Sequence, residues 1–351
     1  ALPPAAYTSR SLFGREQALA LAPAWWLIGR SADLRTVGDY VAIDVLGEPL
    51  LIVRLADGRL RAQSRLCRHR GMPLVPEGVG HTDRFVCPYH RWVFGADGSL
   101  RNAPLMDERA PSNCSLPIVA VEEWLGFVFV NLDAAAAPLA PRLVDVARIM
   151  APHALDAAVC VGRYDQTWQA NWKLAVENAS EAYHHMGLHP ETVNPRLPSN
   201  AETTCTGSAD WSYLRLRVAE PAEDPLATFQ PLAPEDANGM KCFTIFPATV
   251  ILTNGRLGAW NSFLPVSVDE TRVLAGFMLP AGASDDPAFS DLREALQGTL
   301  EAINAEDERA AGAIQRAMSA RLVERGPLSP REDGLAGLYR YLARTLTASA
   351  A

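Results

Sequence analysis

Residues 67–92 read CRHRGMPLVPEGVGHTDRFVCPYHRW, and this stretch decides how the first half of the chain folds. Cys67-Arg68-His69 is followed, after seventeen residues, by Cys87-Pro88-Tyr89-His90. Each pair joins one soft thiolate to one imidazole at chelating distance along the chain. A [2Fe–2S] cluster of the Rieske type needs this donor set, because two Cys hold one iron and two His hold the other. A structural zinc site with two Cys and two His is the bland alternative. Zinc fingers, however, pair Cys with Cys and His with His along the chain. The mixed order here favours the iron–sulfur reading.

The flanking sequence is rich in strand patterns. Residues 39–54 alternate apolar and polar positions across a Gly-containing turn, which predicts a hairpin. Asp57-Gly58 and Asp97-Gly98 mark further turns, and 117–131 reads as two strands around Leu125-Gly126. The motif thus falls in loops between strands, where hairpin tips can bring two chelating pairs together. The predicted fold class is α+β: an N-terminal all-β domain, then a larger part mixing helices and strands. Ala134 to Pro141 (AAAAPLAP) has the composition of a linker.

A second constellation lies at 171–190, NWKLAVENASEAYHHMGLHP. On a helix Glu181 and His184 share a face one turn apart. Gly187 is a candidate helix stop that would let His189 swing back toward His184. Two imidazoles and a carboxylate with open positions form a non-haem Fe(II) site. By itself, H-x4-H is more often structural or incidental. Helices are predicted over 8–20 at the surface, over 142–151, over 287–320 and over about 333–346. In the long one Leu292, Ala295, Leu296, Leu300, Ile303 and Ile314 are available to one side. Strands are predicted at 159–170, near 211–218 and three or four times between Lys241 and Pro280, with long mobile loops over 192–240. His81 and His153 read as surface or loop histidines, and His185 as turned away from the site.

Composition narrows the function classes. A formal net charge of -8, with no dense basic run, argues against nucleic acid or an anionic membrane as partner. No apolar run reaches the length of a membrane span. The first residues lack a basic segment followed by an apolar core, so no signal peptide is expected. Cys114, Cys160, Cys205 and Cys242 are scattered without paired spacing, which predicts reduced thiols and a cytoplasmic location. No G-x-G-x-x-G fingerprint occurs, so the chain is not expected to take hydride from a nicotinamide itself.

Together, CRHRG, CPYHRW and NWKLAVEN…EAYHH…H resemble the α (terminal oxygenase) subunit of Rieske non-haem iron oxygenases, the aromatic-ring-hydroxylating dioxygenases and related demethylases. The resemblance covers nearly the whole chain. It implies a Rieske [2Fe–2S] domain over 39–133 and a mononuclear iron catalytic domain over 142–351, an antiparallel sheet flanked by helices. Residues 1–38 would form a helix and first strand that pack with the catalytic domain. It implies Cys67, His69, Cys87 and His90 as cluster ligands, and His184, His189 and Asp307 as ligands of the Fe(II), with Glu306 as the alternative to Asp307. Glu181 stands where the family usually has the Asp that bridges the cluster of one subunit to the iron of its neighbour. Asn178 matches a family Asn near the iron, and Tyr183 is expected to pack or hydrogen-bond beside the site. Arg91 stands where the family commonly has Gly.

The implied activity is hydroxylation of a small aromatic or otherwise hydrophobic substrate with O2, as in aromatic hydrocarbon breakdown. Phe243, Ile245, Leu252, Trp260, Phe263 and Phe277 are the candidate pocket residues. Oxidative N- or O-demethylation uses the same iron set and is the alternative. The implied partners are a separate NAD(P)H-dependent reductase, with or without a ferredoxin, and two further copies in a homotrimer. A non-catalytic Rieske electron carrier and a zinc-stabilised binding module are the rival classes.

Overall fold

A computed structural model of the chain describes residues 1–106, 114–217 and 239–347. The chain divides into two units, Trp25–Leu139 on the one hand and Ala1–Ala24 with Ala140–Ala351 on the other.

The first unit is built on antiparallel strands. The hairpin of Asp39–Val45 and Glu48–Arg54 turns at Leu46-Gly47, whose φ angles of 54° and 83° are both left-handed. Two left-handed residues match the twist of the flanking strands, so the turn sets the register. Leu125-Gly126, at 48° and 74°, does the same between Ile118–Trp124 and Phe127–Asn131. These strands join Leu60–Ser64, Gly78–His81 and Trp26–Arg30 in one seven-stranded sheet. A separate three-stranded sheet of Arg84–Val86, Val93–Gly95 and Leu100–Asn102 carries the second Cys-His loop. Its core gathers Leu51, Val53, Phe85, Trp92 and Phe94 around Cys67 and Cys87.

Trp26–Arg30 corrects the expected boundary at residue 38. This strand pairs with Phe127–Asn131, so it belongs to the β unit and only residues 1–24 go with the other. All five of its residues are buried, and a strand must pair where its ladder partner lies.

The second unit centres on a seven-stranded antiparallel sheet. Its order is Val159–Trp168, Thr271–Leu279, Gly258–Pro265, Thr249–Thr253, Met240–Ile245, Trp211–Arg217 and Glu202–Gly207. The strand Glu202–Gly207 lies where a loop was expected, and the stretch 218–238 of that expected loop lies outside the described residues. The helix Phe289–Ala317 lays Leu292, Leu296, Leu300 and Ile303 onto Val161, Ala259, Ala275 and Phe277 of the sheet. Leu300, the one of these four helix residues that is fully buried, contributes on the order of 1.5–3 kcal/mol, and the partly buried three less. Ile314 of the expected stripe is instead 44% exposed, because at that end of the helix the buried residues are Ala311, Gly312 and Gln315, on a different face from the Leu292–Ile303 stripe.

The N-terminal helix Arg10–Glu16 is not a surface element. It continues as a wider helical turn over Gln17–Leu21 and buries Phe13, Ala20 and Leu21. It also sends Glu16 into the interior, where Lys173 Nζ donates to both carboxylate oxygens at 2.8 Å. His153 is likewise buried rather than superficial, with Nε2 3.1 Å from Lys241 Nζ.

Candidate metal centres and cavity

The two Cys-His loops share one backbone frame. Cys67 N donates to Met72 O (2.9 Å) and Gly71 N to Cys67 O (2.9 Å). In the second loop Cys87 N donates to Trp92 O (2.8 Å) and Arg91 N to Cys87 O (3.1 Å). The fifth residue of each loop is left-handed: Gly71 at φ 73° and Arg91 at φ 61°. Glycine takes that conformation freely, whereas a side chain there is strained.

Both sulfurs sit inward, Cys67 3% and Cys87 1% exposed, while His69 and His90 face solvent with ring centroids 4.6 Å apart. His69 stacks on Trp92 at 5.0 Å and 9°, which fixes one imidazole. Burial, with the Cys87 thiol beside it, pushes the Cys67 thiol up. Two adjacent buried thiols ionise only if a cation holds them, and bound metal ions do this outright. Inner sulfurs and outer imidazoles fit a [2Fe–2S] cluster whose one iron takes Cys and whose other takes His.

The second site grows from a capped helix. Asn171 Oδ1 accepts from Lys173 N (3.0 Å) at the start of Trp172–Ala179, a cap of about 1 kcal/mol. Ser180 Oγ donates back to Val176 O (2.6 Å) at its end. The helix therefore stops before Glu181, so Glu181 and His184 do not share it as expected. Glu181 instead accepts the backbone N–H groups of Tyr183 and His184, turning the chain into the short helix His185–Leu188. Gly187 lies within that helix, and His189 ends it.

This turn aims both imidazoles at Asp307. His184 Nδ1 donates to Glu181 Oε1 (2.5 Å) and His189 Nδ1 to Glu306 Oε2 (2.6 Å). His189 Nε2 lies 2.9 Å and His184 Nε2 3.9 Å from Asp307 Oδ1. Asn178 Nδ2 donates to the same oxygen at 2.7 Å. One atom from each of His184, His189 and Asp307 thus falls within 4.8 Å of the others. Metal-ligating histidines characteristically donate their other N–H to a carboxylate, and the donor set fits a ferrous ion with open positions.

Glu306, the alternative ligand, is occupied by His189 and by Thr192 Oγ1 (2.7 Å). Burial opposes it, but His189 and Thr192 hold its carboxyl below the usual range. Burial would also lower His189; the Asp307 and Glu306 carboxylates outweigh it and raise the pKa. Glu181, Glu306 and Asp307 thus set three carboxyl groups against the two imidazoles.

Beside these groups opens a cavity of about 460 Å³. Leu252, Trp260, Phe263 and Phe277 of the expected residues line it; Phe243 and Ile245 do not. Register places Phe243 away from Leu252: Leu252 pairs with Cys242, so its neighbour Phe243 faces the other way and stacks on Tyr213 at 4.5 Å. His185, set aside on helical geometry, does line the cavity. Its Nδ1 donates to Leu197 O at 2.7 Å, and burial, with His184 beside it, lowers its pKa to about 4. Tyr183 is 42% exposed, and only its backbone hydrogen-bonds the turn.

Sequence reasoning missed the frame behind the ligand helix. Tyr7 Oη donates to Glu177 (2.9 and 3.0 Å), Lys173 meets Glu16, and Gln315 Oε1 accepts Asn171 N (3.0 Å) while its Nε2 donates to Tyr7 O (3.1 Å). The segment 1–24 thereby ties together the two helices that carry site residues. Partners 144 to 308 positions apart leave no local signal.

Comparison with known proteins agrees with both units. The description "Rieske [2Fe-2S] domain" matches residues 24–122, and "Ring hydroxylating alpha subunit (catalytic domain)" matches residues 152–348. The carnitine monooxygenase oxygenase subunit of Acinetobacter pittii is 33% identical over 189 residues, 52% of this chain and 51% of that protein. The glycine betaine monooxygenase oxygenase subunit of Chromohalobacter salexigens is 31% identical over 195 residues, 55% of this chain and 44% of that one. The matched region thus spans about half the length of these curated relatives. Among solved structures, the quaternary ammonium Rieske monooxygenase CntA superposes with a TM-score of 0.84 at 24% identity, over 98% of this chain and 95% of that chain. Naphthalene 1,2-dioxygenase does so at 0.79 and 21%, over 98% and 92%. At such identities the likeness speaks for the fold. The chain belongs to the ring-hydroxylating alpha-subunit family, with a Rieske [2Fe–2S] domain ahead of the catalytic domain that binds mononuclear iron.

Proposed function

We propose that the chain is the terminal oxygenase of a multicomponent Rieske oxygenase, acting with O2 on a small, largely hydrophobic substrate. The observation that carries this reading is the three-donor centre of His184, His189 and Asp307 in the wall of a mostly apolar cavity. A pure electron carrier has no use for it. In this reading Cys67, His69, Cys87 and His90 hold the cluster, and His184, His189 and Asp307 hold the iron. When bound, the cluster would supply single electrons and the ferrous ion O2 activation.

The chain's own residues do the rest. Glu181 and Glu306 fix the tautomer and ring plane of His184 and His189, leaving each Nε2 free toward Asp307. Asn178 Nδ2 donates to Asp307 Oδ1 and holds it in place. Leu252, Phe263 and Phe277 keep the cavity apolar and limit water beside the substrate. Glu181 is the residue proposed to link the two metal sites of neighbouring subunits, with a longer side chain than the usual Asp.

The same proposal includes a homotrimer and an NAD(P)H-dependent reductase, with or without a ferredoxin. It assigns the protein to the cytosol, where thiols such as Cys160 and buried Cys242 stay reduced. Similarity to oxygenase subunits of carnitine and glycine betaine monooxygenases favours, as a second reading, monooxygenation that ends in N- or O-demethylation. The test is a substrate panel with a surrogate reductase and NADH, reading product against released peroxide. Product that requires O2 and vanishes in His184→Ala is expected. Metal-replete protein that converts nothing would reject the reading. Glu181→Gln should keep both metal sites and nearly abolish turnover; unchanged turnover would remove Glu181 from the link.

A further inference from the structure

Two polar side chains line the cavity without belonging to the metal centre. His185 is 6% exposed, and its Nδ1 donates to Leu197 O at 2.7 Å. A carbonyl oxygen can only accept, so Nδ1 carries the hydrogen; burial favours the uncharged ring, in which Nε2 presents a lone pair. Asn304 is 5% exposed, and its Nδ2 donates to Leu300 O at 2.8 Å, which assigns the amide and leaves Oδ1 as its acceptor. Among the described residues nothing bonds to His185 Nε2 or to Asn304 Oδ1. Both residues border the same cavity. One follows His184 in the chain, and the other stands one helical turn before Asp307, on the same face.

An acceptor left unpaired beside an apolar wall is costly, so such groups mark what the site is built to receive. The ring hydrogen of His185 and one of the two N–H groups of Asn304 are spent on backbone carbonyls, and what remains toward the cavity is two acceptors and the second Asn304 N–H. Resting on the oxygenase reading, we infer that His185 Nε2 and Asn304 Oδ1 are specificity-determining groups that accept hydrogen bonds from an O–H or N–H donor on the substrate, while its hydrocarbon body lies against Leu252, Phe263 and Phe277. The substrate class is an apolar molecule with a hydroxyl or N–H group near the carbon that reacts. A compound whose only polar group is a quaternary ammonium offers no such donor. A site made to bond a hydroxyl or amine discriminates strongly against the analogue that lacks it.

The test uses the iron-loaded full chain and matched probe pairs: naphthol with its methyl ether, indole with N-methylindole, and cyclohexanol with its methyl ether. Binding is read by calorimetry and by saturation-transfer NMR, without turnover. The donor-bearing member should bind about tenfold more tightly than its capped partner, the worth of one neutral hydrogen bond. In His185→Phe and in Asn304→Leu, which keep bulk, the ratio should shrink toward one while the capped members bind as before. Iron content of each variant, measured in parallel, separates loss of recognition from loss of the metal. Equal binding of both members, binding of neither, or a preference that survives in both variants overturns the inference. A preference that is present although no probe is ever converted keeps the inference and counts against the oxygenase reading instead.

Discussion

The two metal-binding regions are built by opposite strategies. The cluster tip is local: two loops of one design, Cys67–Met72 and Cys87–Trp92, each closed by the same pair of backbone hydrogen bonds. The proposed iron centre is assembled at long range, with His189 meeting an acid 118 positions away. Its ligand helix is held from behind by Glu16, Tyr7 and Gln315. A local site should tolerate changes elsewhere in the chain, whereas an assembled one should fail when a distant support is removed.

The sharpest attempt to break that contrast is Lys173→Met. It leaves Glu16 buried without its counter-charge, both side chains being 1% exposed. Removing one partner of such a pair costs about 3–5 kcal/mol. Urea unfolding followed at the catalytic unit should show that loss, while the visible spectrum of the cluster stays unchanged at low denaturant. Equal loss of both signals would mean that the two regions do not stand apart. Next, Glu306→Leu removes the acceptor that orients His189 and should weaken ferrous binding roughly 10–100-fold with the cluster intact, as read by iron titration.

The same long-range character explains what the sequence made legible. CRHRG and CPYHRW are contiguous, so donor type and spacing could be read directly, and the hairpins at Leu46-Gly47 and Leu125-Gly126 announced their own turns. The three proposed iron donors could be listed from a family resemblance. The break at Ser180, which hands Glu181 the task of opening the next turn, could not. Nor could the burial of Glu16 and His153, because what covers them comes from remote parts of the chain. Periodicity placed the long helix within a few residues but misjudged Ile314 at its end, and aromatic content alone could not say that Phe243 faces away from Leu252.

A pH prediction sharpens the contrast further. Burial is the main cause that raises Glu177 from 4.5 to about 7, against the Tyr7 and Tyr339 hydroxyls and Lys173, which lower it. Between those values the unfolded chain has lost this proton and the folded one keeps it. Stability from this group is therefore full below about 4.5 and declines as pH rises through about 7. The melting temperature of the wild type should fall relative to that of Glu177→Gln across this window; parallel curves would show that Glu177 does not titrate there. The smallest expected effect lies in the cluster tip. Arg91→Gly relieves a left-handed side-chain position and should add about 1 kcal/mol, and Gly71→Ala should lose a similar amount. Neither should change iron binding at the histidine pair.

The most direct test of two separately built metal sites is iron and acid-labile sulfide analysis of anaerobically reconstituted protein and two variants. The wild type should hold about three iron atoms and about two sulfides per chain, with a Rieske-type EPR signal on reduction. Asp307→Ala should lose about one iron and no sulfide, and Cys87→Ser about two irons and both sulfides. Zinc without sulfide, or variants that each empty both sites, would contradict the account.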